Sequence, residues 1–539
     1  MNVSQILIDQ VAERADEPAI VEAAGTGTRS ITFGQIEERS ARAAALLRAA
    51  SLRKGDRVLV FQPMSIELYV ALLAVFRLGL VATVLDPAAG RRHIEQCCNI
   101  ARPRAFLGPA RAHLLRILCK GLRRTERNFV TAGWALGATR WSRLERFEPL
   151  DSVTPCEASH DALLTFTSGS TGEPKAAVRS HGFLLAQHAV LAESGELEPG
   201  EVDLPTLPIF VLANLASGVT TVIPQCDLRH PGSVAPGPVL EQIESHHVTR
   251  TSGSPALFSK LLEGDRAVGE RGSGSGETIG GRRLGKLQKL YTGGAPVFPR
   301  LARELRAALP HGKVIVVYGS TEAEPIAHLD WDDVRPADID AMYAGKGLLV
   351  GTVAPPIELR IMHNQWGSSI PPLNAREFAE LASPPGCGGE IVVRGAHVLT
   401  GYLNGVGEEE TKFRVGGAVW HRTGDAGCLD AQARLWLLGR AGAVIRDERG
   451  TIHPLAAECA ASRLAWIERS ALTRRNGQRL LAVQLGPEAP GDAEQQVTEG
   501  LAWAELDRVA PLPRIPVDRR HNAKVDYPAL EKELERHGY

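Results

Sequence analysis

Between Arg57 and Leu85 the chain runs from a short apolar segment through a helix-length apolar segment into a second short one, which restricts it to folds with a parallel sheet. Arg57-Val-Leu-Val-Phe61 reads as a buried strand. Ser65 is placed to cap a helix through Glu67, Tyr69, Leu72 and Phe76 that stops at Gly79. Leu80 to Leu85 is a second strand, ended by Asp86-Pro87. The same grammar recurs further on. Ala162 to Thr167 is a strand feeding a glycine-rich loop, Ala176 to Arg179 continues extended, and Ser180 caps a helix through Leu191. Lys313 to Val317 is another apolar strand, followed at once by a polar turn.

A chain of 539 residues exceeds one ordinary core, so at least two domains are expected. Composition breaks near Gly439-Arg440, and the residues beyond form a smaller α+β unit. The expectation is an α/β protein with a large N-terminal domain of mixed and parallel sheets over 1–438, a hinge at 439–442 and a small C-terminal domain over 443–539. Gly264 to Gly285, rich in Gly, Ser and Arg, reads as a surface loop. Its Gly272-Ser-Gly274-Ser-Gly276 lacks the preceding strand and the spacing of a dinucleotide fingerprint. Met1 to Glu13 reads as an amphipathic helix with Asp9 inside it, not as a signal peptide.

Lys+Arg 61 against Asp+Glu 62 leaves a net charge of −1, which argues against a dedicated nucleic-acid binder. The eight cysteines are scattered without a CxxC pair, as in reduced thiols of a cytoplasmic protein. The longest apolar run, Leu68 to Phe76, falls far short of the roughly 20 residues of a membrane span. Contact with the membrane periphery stays open for a lipid substrate, as does a pathway-enzyme partner.

Thr167-Ser-Gly-Ser-Thr-Gly-Glu-Pro-Lys175 carries the chemistry. Glycines let the backbone approach an anion, hydroxyls and amides donate to phosphate oxygens, and Lys175 adds a point charge. A Walker loop needs Gly and Lys adjacent, whereas Glu173 and Pro174 intervene here. A plain Ser/Gly-rich turn is the bland alternative.

The loop resembles the phosphate-binding motif of adenylate-forming enzymes: acyl-CoA synthetases, luciferases and the adenylation domains of peptide synthetases. The resemblance continues in that family's order. Leu290-Tyr-Thr-Gly-Gly-Ala-Pro296 resembles the adenine-side turn, and Val317-Tyr-Gly-Ser-Thr-Glu322 the aromatic segment with its Thr-Glu pair. Gly389 to Gly395 with Gly401-Tyr402, His421-Arg-Thr-Gly-Asp425, Gly439-Arg440 and Pro516 to Lys524 resemble the blocks that follow. Singly, Gly293 to Pro296 or Asp425 after Thr-Gly is also plain turn chemistry. The ordered set is what makes the resemblance specific.

The resemblance implies ATP and Mg²⁺ as cofactors. It assigns phosphate contacts to Thr167, Ser168, Gly169, Ser170, Thr171, Gly172 and Lys175, and the metal to Glu322 with Thr171. Gly294, Ala295, Pro296 and Tyr318, with Gly319, Ser320 and Thr321 beside it, would face adenine. Asp425 would accept from the ribose hydroxyls with Arg440 nearby. Lys524, on the mobile small domain, would bridge substrate carboxylate and ATP oxygens, so Lys524, Lys175 and Thr167 are the catalytic candidates.

Four departures bear on the second half-reaction. Gly442 stands where the hinge usually has Asp or Lys, and Gly450-Thr-Ile-His-Pro454 leads into Leu455-Ala-Ala-Glu458 where the family has a more acidic ending. His421 replaces a Tyr, and Ala523 precedes the C-terminal lysine in place of Gly. Within the family, Phe61-Gln-Pro-Met64, Leu85-Asp-Pro87, Tyr318 to Ala323 and Arg520-His-Asn-Ala-Lys524 look most like β-lactone synthetases of olefin biosynthesis. This similarity implies adenylation of a 3-hydroxy fatty acid and displacement of AMP by its own hydroxyl. The alternative is a ligase forming a thioester with CoA or a carrier protein; a degenerate nucleotide binder is the third reading. Pro208 to Gly218, without charge or His, is the candidate wall of the acyl pocket.

Overall fold

The computed structural model of the chain describes residues 2–25, 27–85, 90–168, 173–272, 283–517 and 524–539, without the side chains of Ser168 and of 268–272. Asp86-Pro87, the loop residues Gly169, Ser170, Thr171 and Gly172, and Arg520 to Ala523 lie outside these.

A seven-stranded sheet grows from the expected strand–helix–strand unit. Arg57–Val60 and Val81–Val84 pair in parallel, with the helix Ile66–Arg77 between them in sequence. Every residue of that helix except Glu67 is buried, as an all-round apolar helix requires. Arg77 at its end is compensated by Glu37 at 2.7 Å. Gly79 ends it at φ +63, where a Cβ would come within 3.0 Å of Cys156 Sγ. Ser65 does not act as the cap: its hydroxyl donates to Pro63 O at 2.8 Å. The Ile66 amide instead reaches the Glu22 carboxylate at 2.7 Å, and a full negative charge suits a helix N-terminus. Ala105–Gly108 and Arg127–Val130 extend the sheet on one side, and Asp161–Ser168 follows Val81–Val84 on the other, all parallel. The chain then reverses into the antiparallel strand Pro174–Ser180. Ser180 caps the next helix, His181–Ser194, by accepting from Phe183 N at 3.1 Å.

The larger sheet has 14 strands. Val202–Pro205, Arg250–Gly253, Lys289–Gly293 and Lys313–Ser320 run parallel, and the last turns back antiparallel into Ala323–Asp330. Leu348–Val353, Arg434–Arg440, Ala418–Leu429 and Gly389–Arg394 continue the antiparallel side. The stretch read as a loop from Gly264 is helical to Gly272, as the end of the helix Pro255–Gly272. Leu257, Phe258, Leu261 and Leu262 bury one face, and the Asp265 carboxylate takes the Arg283 amide at 2.8 Å. That burial overrides the poor helix propensity of the glycines.

Beyond Arg440 the chain forms a separate three-stranded sheet of Ile467–Arg475, Gln478–Leu485 and Arg508–Pro511. The helix Pro454–Ala461 joins it to the rest, with all its residues buried. Leu455 and Cys459 belong to the core beneath the large sheet, and Ala457, Ala460 and Ala461 to the core of the C-terminal part. Across the same junction Arg300 donates to Ala465 O at 2.7 Å.

Behind the Thr423-Gly-Asp425 stretch of the strand Ala418–Leu429 lies a salt bridge with both side chains at 0% exposure. Arg422 Nε and Nη2 donate to the two Glu390 oxygens at 2.7 and 2.8 Å, while Nη1 donates to Ser368 O at 2.6 Å. Glu390→Ala leaves that guanidinium buried without its anion, so a loss of about 3–5 kcal/mol is expected in denaturant unfolding. Adding Arg422→Leu should restore much of it. A single variant as stable as the parent would remove the pair from any role in holding that stretch.

Candidate active site

The phosphate-loop hairpin is positioned by its strand register. Thr167 pairs with Lys175 and Ser168 with Pro174, so the described residues bring Thr167 and Lys175 side by side at the base of the loop. The Lys175 side chain is 6% exposed and its Nζ meets Glu410 Oε2 at 2.7 Å. Gly407, at φ +87, lies against it, and a Cβ there would come within 2.4 Å of Lys175 Cδ. A buried ammonium needs such an anion. Phosphate oxygens arriving at Lys175 would exchange one anion for another.

Two side chains stitch this strand to the turn after Lys313–Ser320. Arg179 donates to Thr321 O at 2.6 Å and to Thr165 Oγ1 at 2.5 Å. Tyr402 bridges to Ala177 by backbone, and its hydroxyl donates to Glu322 Oε1 at 3.0 Å. Burial, reinforced by the Glu322 charge, raises the Tyr402 phenol well above its ordinary range, so it stays a donor. Ser320 Oγ accepts from Glu322 N at 3.3 Å, and Leu399 N donates to Glu322 O at 2.7 Å. Lys412 lies 5.5 Å from the centre of the Tyr402 ring, donates to Leu399 O, and touches His421 Nδ1 at 3.1 Å. Burial pushes Lys412 down to about 7 and, with Lys412 beside it, holds His421 well below the usual imidazole range.

A cavity of about 370 Å³, large enough for a small-molecule ligand, is lined by a different set of residues that includes neither Lys175 nor Glu322. Gly294, Ala295 and Pro296 line one wall, Tyr318 and Gly319 a second, and Asp425 and Arg440 a third. Glu458, Lys524 and Tyr527 close it from the C-terminal part. Asp425 and Arg440 are paired across adjacent strands, with Arg440 Nη1 at 3.1 Å from Asp425 Oδ1. The other Asp425 oxygen accepts from the Tyr318 hydroxyl at 2.9 Å. The two residues expected to face adenine and ribose therefore hydrogen-bond directly to each other. Glu458 Oε1 accepts from Tyr527 OH at 3.1 Å and Leu472 N at 3.4 Å, and burial pushes its carboxyl up to about 7.

The hinge residue Gly442 is explained by packing. A Cβ there would meet Trp366 Cδ1 at 2.9 Å, and a Cβ on Gly424, at φ +73, would meet the far edge of the same indole at 2.9 Å. The Arg422 guanidinium lies 5.3 Å from that ring's centre, and Asn364 donates to Ala441 O at 2.7 Å. Reading the sequence missed Trp366, Glu410, Lys412 and the role of Glu458. Only the acidic run Glu408 to Glu410 and the Pro454-to-Glu458 helical spacing were visible hints.

Residues 7–403 match the model of the family described as AMP-binding enzyme. The chain belongs to the AMP-binding enzyme family. It is 31% identical to the olefin beta-lactone synthetase of Stenotrophomonas maltophilia (strain K279a) over 97% of this chain and 96% of that protein. It is 30% identical to the olefin beta-lactone synthetase of Xanthomonas campestris pv. campestris, again over 97% and 96%. Its fold matches that of ATP-bound MatB from Rhodopseudomonas palustris with a TM-score of 0.78 and 21% identity, covering 100% of both chains.

This AMP-binding enzyme is thus an ATP-dependent, adenylate-forming activator of carboxylic acids. Its cavity holds a titrating group with a defined effect on stability. Glu458 releases its proton near pH 7 when folded, against 4.5 in the ordinary range. The folded state therefore binds the extra proton, and stability falls as pH rises from about 4.5 to about 7, by up to roughly 3 kcal/mol. Glu458→Gln should flatten that slope and be the more stable form at pH 8, as measured by urea unfolding across pH. An unchanged slope would assign the pH dependence to another group.

Proposed function

We propose that the enzyme adenylates a 3-hydroxy fatty acid and closes the acyl-adenylate to a β-lactone by the substrate's own hydroxyl. The observation that carries this reading is Trp366 packed against the hinge glycine Gly442. With Leu455 and Cys459 of the next helix seated in the core of the large sheet, it supports a hinge built to hold the C-terminal part in place. A thioester ligase must bring a second substrate to the adenylate, whereas a hydroxyl already on the substrate reacts through proximity alone. The relatives named olefin beta-lactone synthetase support the same product.

In this reading Thr167 to Thr171 and Gly172 cradle the phosphates of ATP, and Lys175 leaves Glu410 for them. Glu322 offers an oxygen donor oriented by Tyr402, which fits Mg²⁺, with Thr171 as the second expected ligand. Bound there, Mg²⁺ would neutralise charge on the departing pyrophosphate. Gly294 to Pro296 and Tyr318 to Thr321 bind the adenine side, and Asp425, oriented by Arg440, turns from the Tyr318 hydroxyl to the ribose hydroxyls. Lys524 neutralises the substrate carboxylate as it attacks the α-phosphate. In the second step the 3-oxygen bonds to the acyl carbon, the acyl–phosphate bond breaks, AMP leaves with the electron pair, and the hydroxyl proton passes to water. The apolar helix Pro208–Ser217 is the proposed acyl wall, although none of its residues lines the cavity described above.

Product analysis tests the reading directly. With ATP and Mg²⁺ a long-chain 3-hydroxy acid should yield a neutral lactone, AMP and pyrophosphate without CoA. The same acid lacking the hydroxyl should be adenylated but not released as a new product. Efficient acyl-CoA formation from the plain acid would replace the lactone reading with the ligase. Lys524→Ala should retain ATP binding within a few-fold and lower adenylation by about 100-fold, the scale of one lost transition-state charge contact. Near-normal pyrophosphate release by that variant would give Lys524 another task. Asp425→Ala should raise KM for ATP far more than KM for the acid, and an equal rise in both would remove the ribose role.

A further inference from the structure

Five of the eight large apolar side chains exposed among the described residues lie in one place: Leu114, Ile117, Leu118, Trp134 and Leu136. Leu136 is 80% exposed, Ile117 69% and Trp134 64%, far beyond the scattered surface leucine of an ordinary protein. They stand on two segments, one following Ala105–Gly108 and one following Arg127–Val130. Arg116 joins the segments by donating to Leu136 O at 3.1 Å, and Ala110 N donates to Ala132 O at 2.9 Å.

The charge around this patch is mainly positive, although Glu95 reaches the Gly121 amide at 3.0 Å. From Arg102 to Arg140 the only acidic residue is Glu126, which pairs with Arg104 at 3.1 Å. Arg111, Lys120, Arg123 and Arg124 are exposed there. A chain with net charge −1 has thus gathered cations around its most exposed apolar side chains. Aliphatic and tryptophan side chains ringed by Arg and Lys match the interface of an anionic bilayer, where apolar groups enter the acyl boundary and cations meet the headgroups.

The topology links this patch to the site. Ala105–Gly108 and Arg127–Val130 run parallel to Asp161–Ser168 in the same sheet, so their following segments and the phosphate loop leave from one edge. In the sheet order Ala105–Gly108 is three strand spacings from Asp161–Ser168, or about 15 Å.

We propose that this patch docks the enzyme on an anionic lipid surface, with the edge that carries the active-site loop facing the bilayer. The proposal concerns the surface alone and does not depend on whether a hydroxyl or a thiol ends the reaction. Vesicle sedimentation of the full chain tests it. The protein should sediment with phosphatidylglycerol-containing vesicles, stay in solution with pure phosphatidylcholine vesicles, and be released by high salt. The triple variant Ile117→Ser, Trp134→Ser, Leu136→Ser and the double variant Arg123→Glu, Arg124→Glu should each lower partitioning at least about ten-fold. Both should keep ATP–pyrophosphate exchange with a short soluble acid, because neither alters a residue of the site. Failure of the parent to bind anionic vesicles, or equal binding by parent and variants, would overturn the proposal. So would a dimer seen by light scattering that disappears in the triple variant, since the patch would then be a contact between copies of the chain.

Discussion

A lysine with 6% of its side chain exposed is costly to bury without an anion, and the hairpin at Lys175 is built around that requirement. Glu410 supplies the anion, and Gly407 is glycine because the lysine stem runs where its side chain would be. Two residues further along the strand, Ala177 holds Tyr402, which orients Glu322. Asp425 repeats the pattern with Arg440. Lys175, Glu322, Asp425 and Arg440 thus each already have a partner of opposite sign or a hydroxyl. For a reaction that drives a carboxylate against a phosphate, such a cleft can exchange ion partners without first burying a lone charge.

The C-terminal part is held by a different kind of force. The helix Pro454–Ala461 is small-residue rich and wholly buried, so it sits close to both neighbours and shares side chains between two cores. Trp366 fills the space that a longer hinge side chain would need, and it contacts the glycine before Asp425 as well as Gly442. The expected hinge and the strand segment before Asp425 are thereby packed on one indole. Moving the hinge would expose apolar surface of Trp366 and Leu455, at about 25 cal/mol for each Å² uncovered. In the proposed lactone reading the second nucleophile is already in the substrate, and that cost need not be met.

Much of this was legible along the chain because it depends on neighbours in sequence. The strands at Arg57, Val81, Asp161 and Lys313 and the Ser180 cap follow from local apolar patterning and capping chemistry. Ser65 misled because the better partner for its helix, Glu22, comes from another strand. The helix through Gly264 to Gly272 misled because burial decided against propensity. Contacts distant in sequence left no local trace: Lys175 and Glu410 are 235 residues apart, and Tyr402 and Glu322 are 80 apart. Resemblance to a family could nominate the conserved-type side of each contact, Lys175 or Glu322, but not the partner this chain supplies.

The parallel topology of the smaller sheet bears on the surface around the site as well. In a parallel sheet every strand ends at one edge, so whatever that edge meets, several loops meet together. Here the Asp161–Ser168 strand leads towards the strand that carries Lys175, while Ala105–Gly108 and Arg127–Val130 deliver exposed apolar and basic side chains. A long-chain acid gains about 0.8 kcal/mol for each methylene it buries, so it concentrates in bilayers rather than in water. ATP, carrying several negative charges, stays in the aqueous phase. An enzyme that joins the two, as proposed here, would work at the boundary between their solvents, and a sheet edge presenting an apolar, cationic face beside the strands that flank the expected phosphate loop is suited to that boundary.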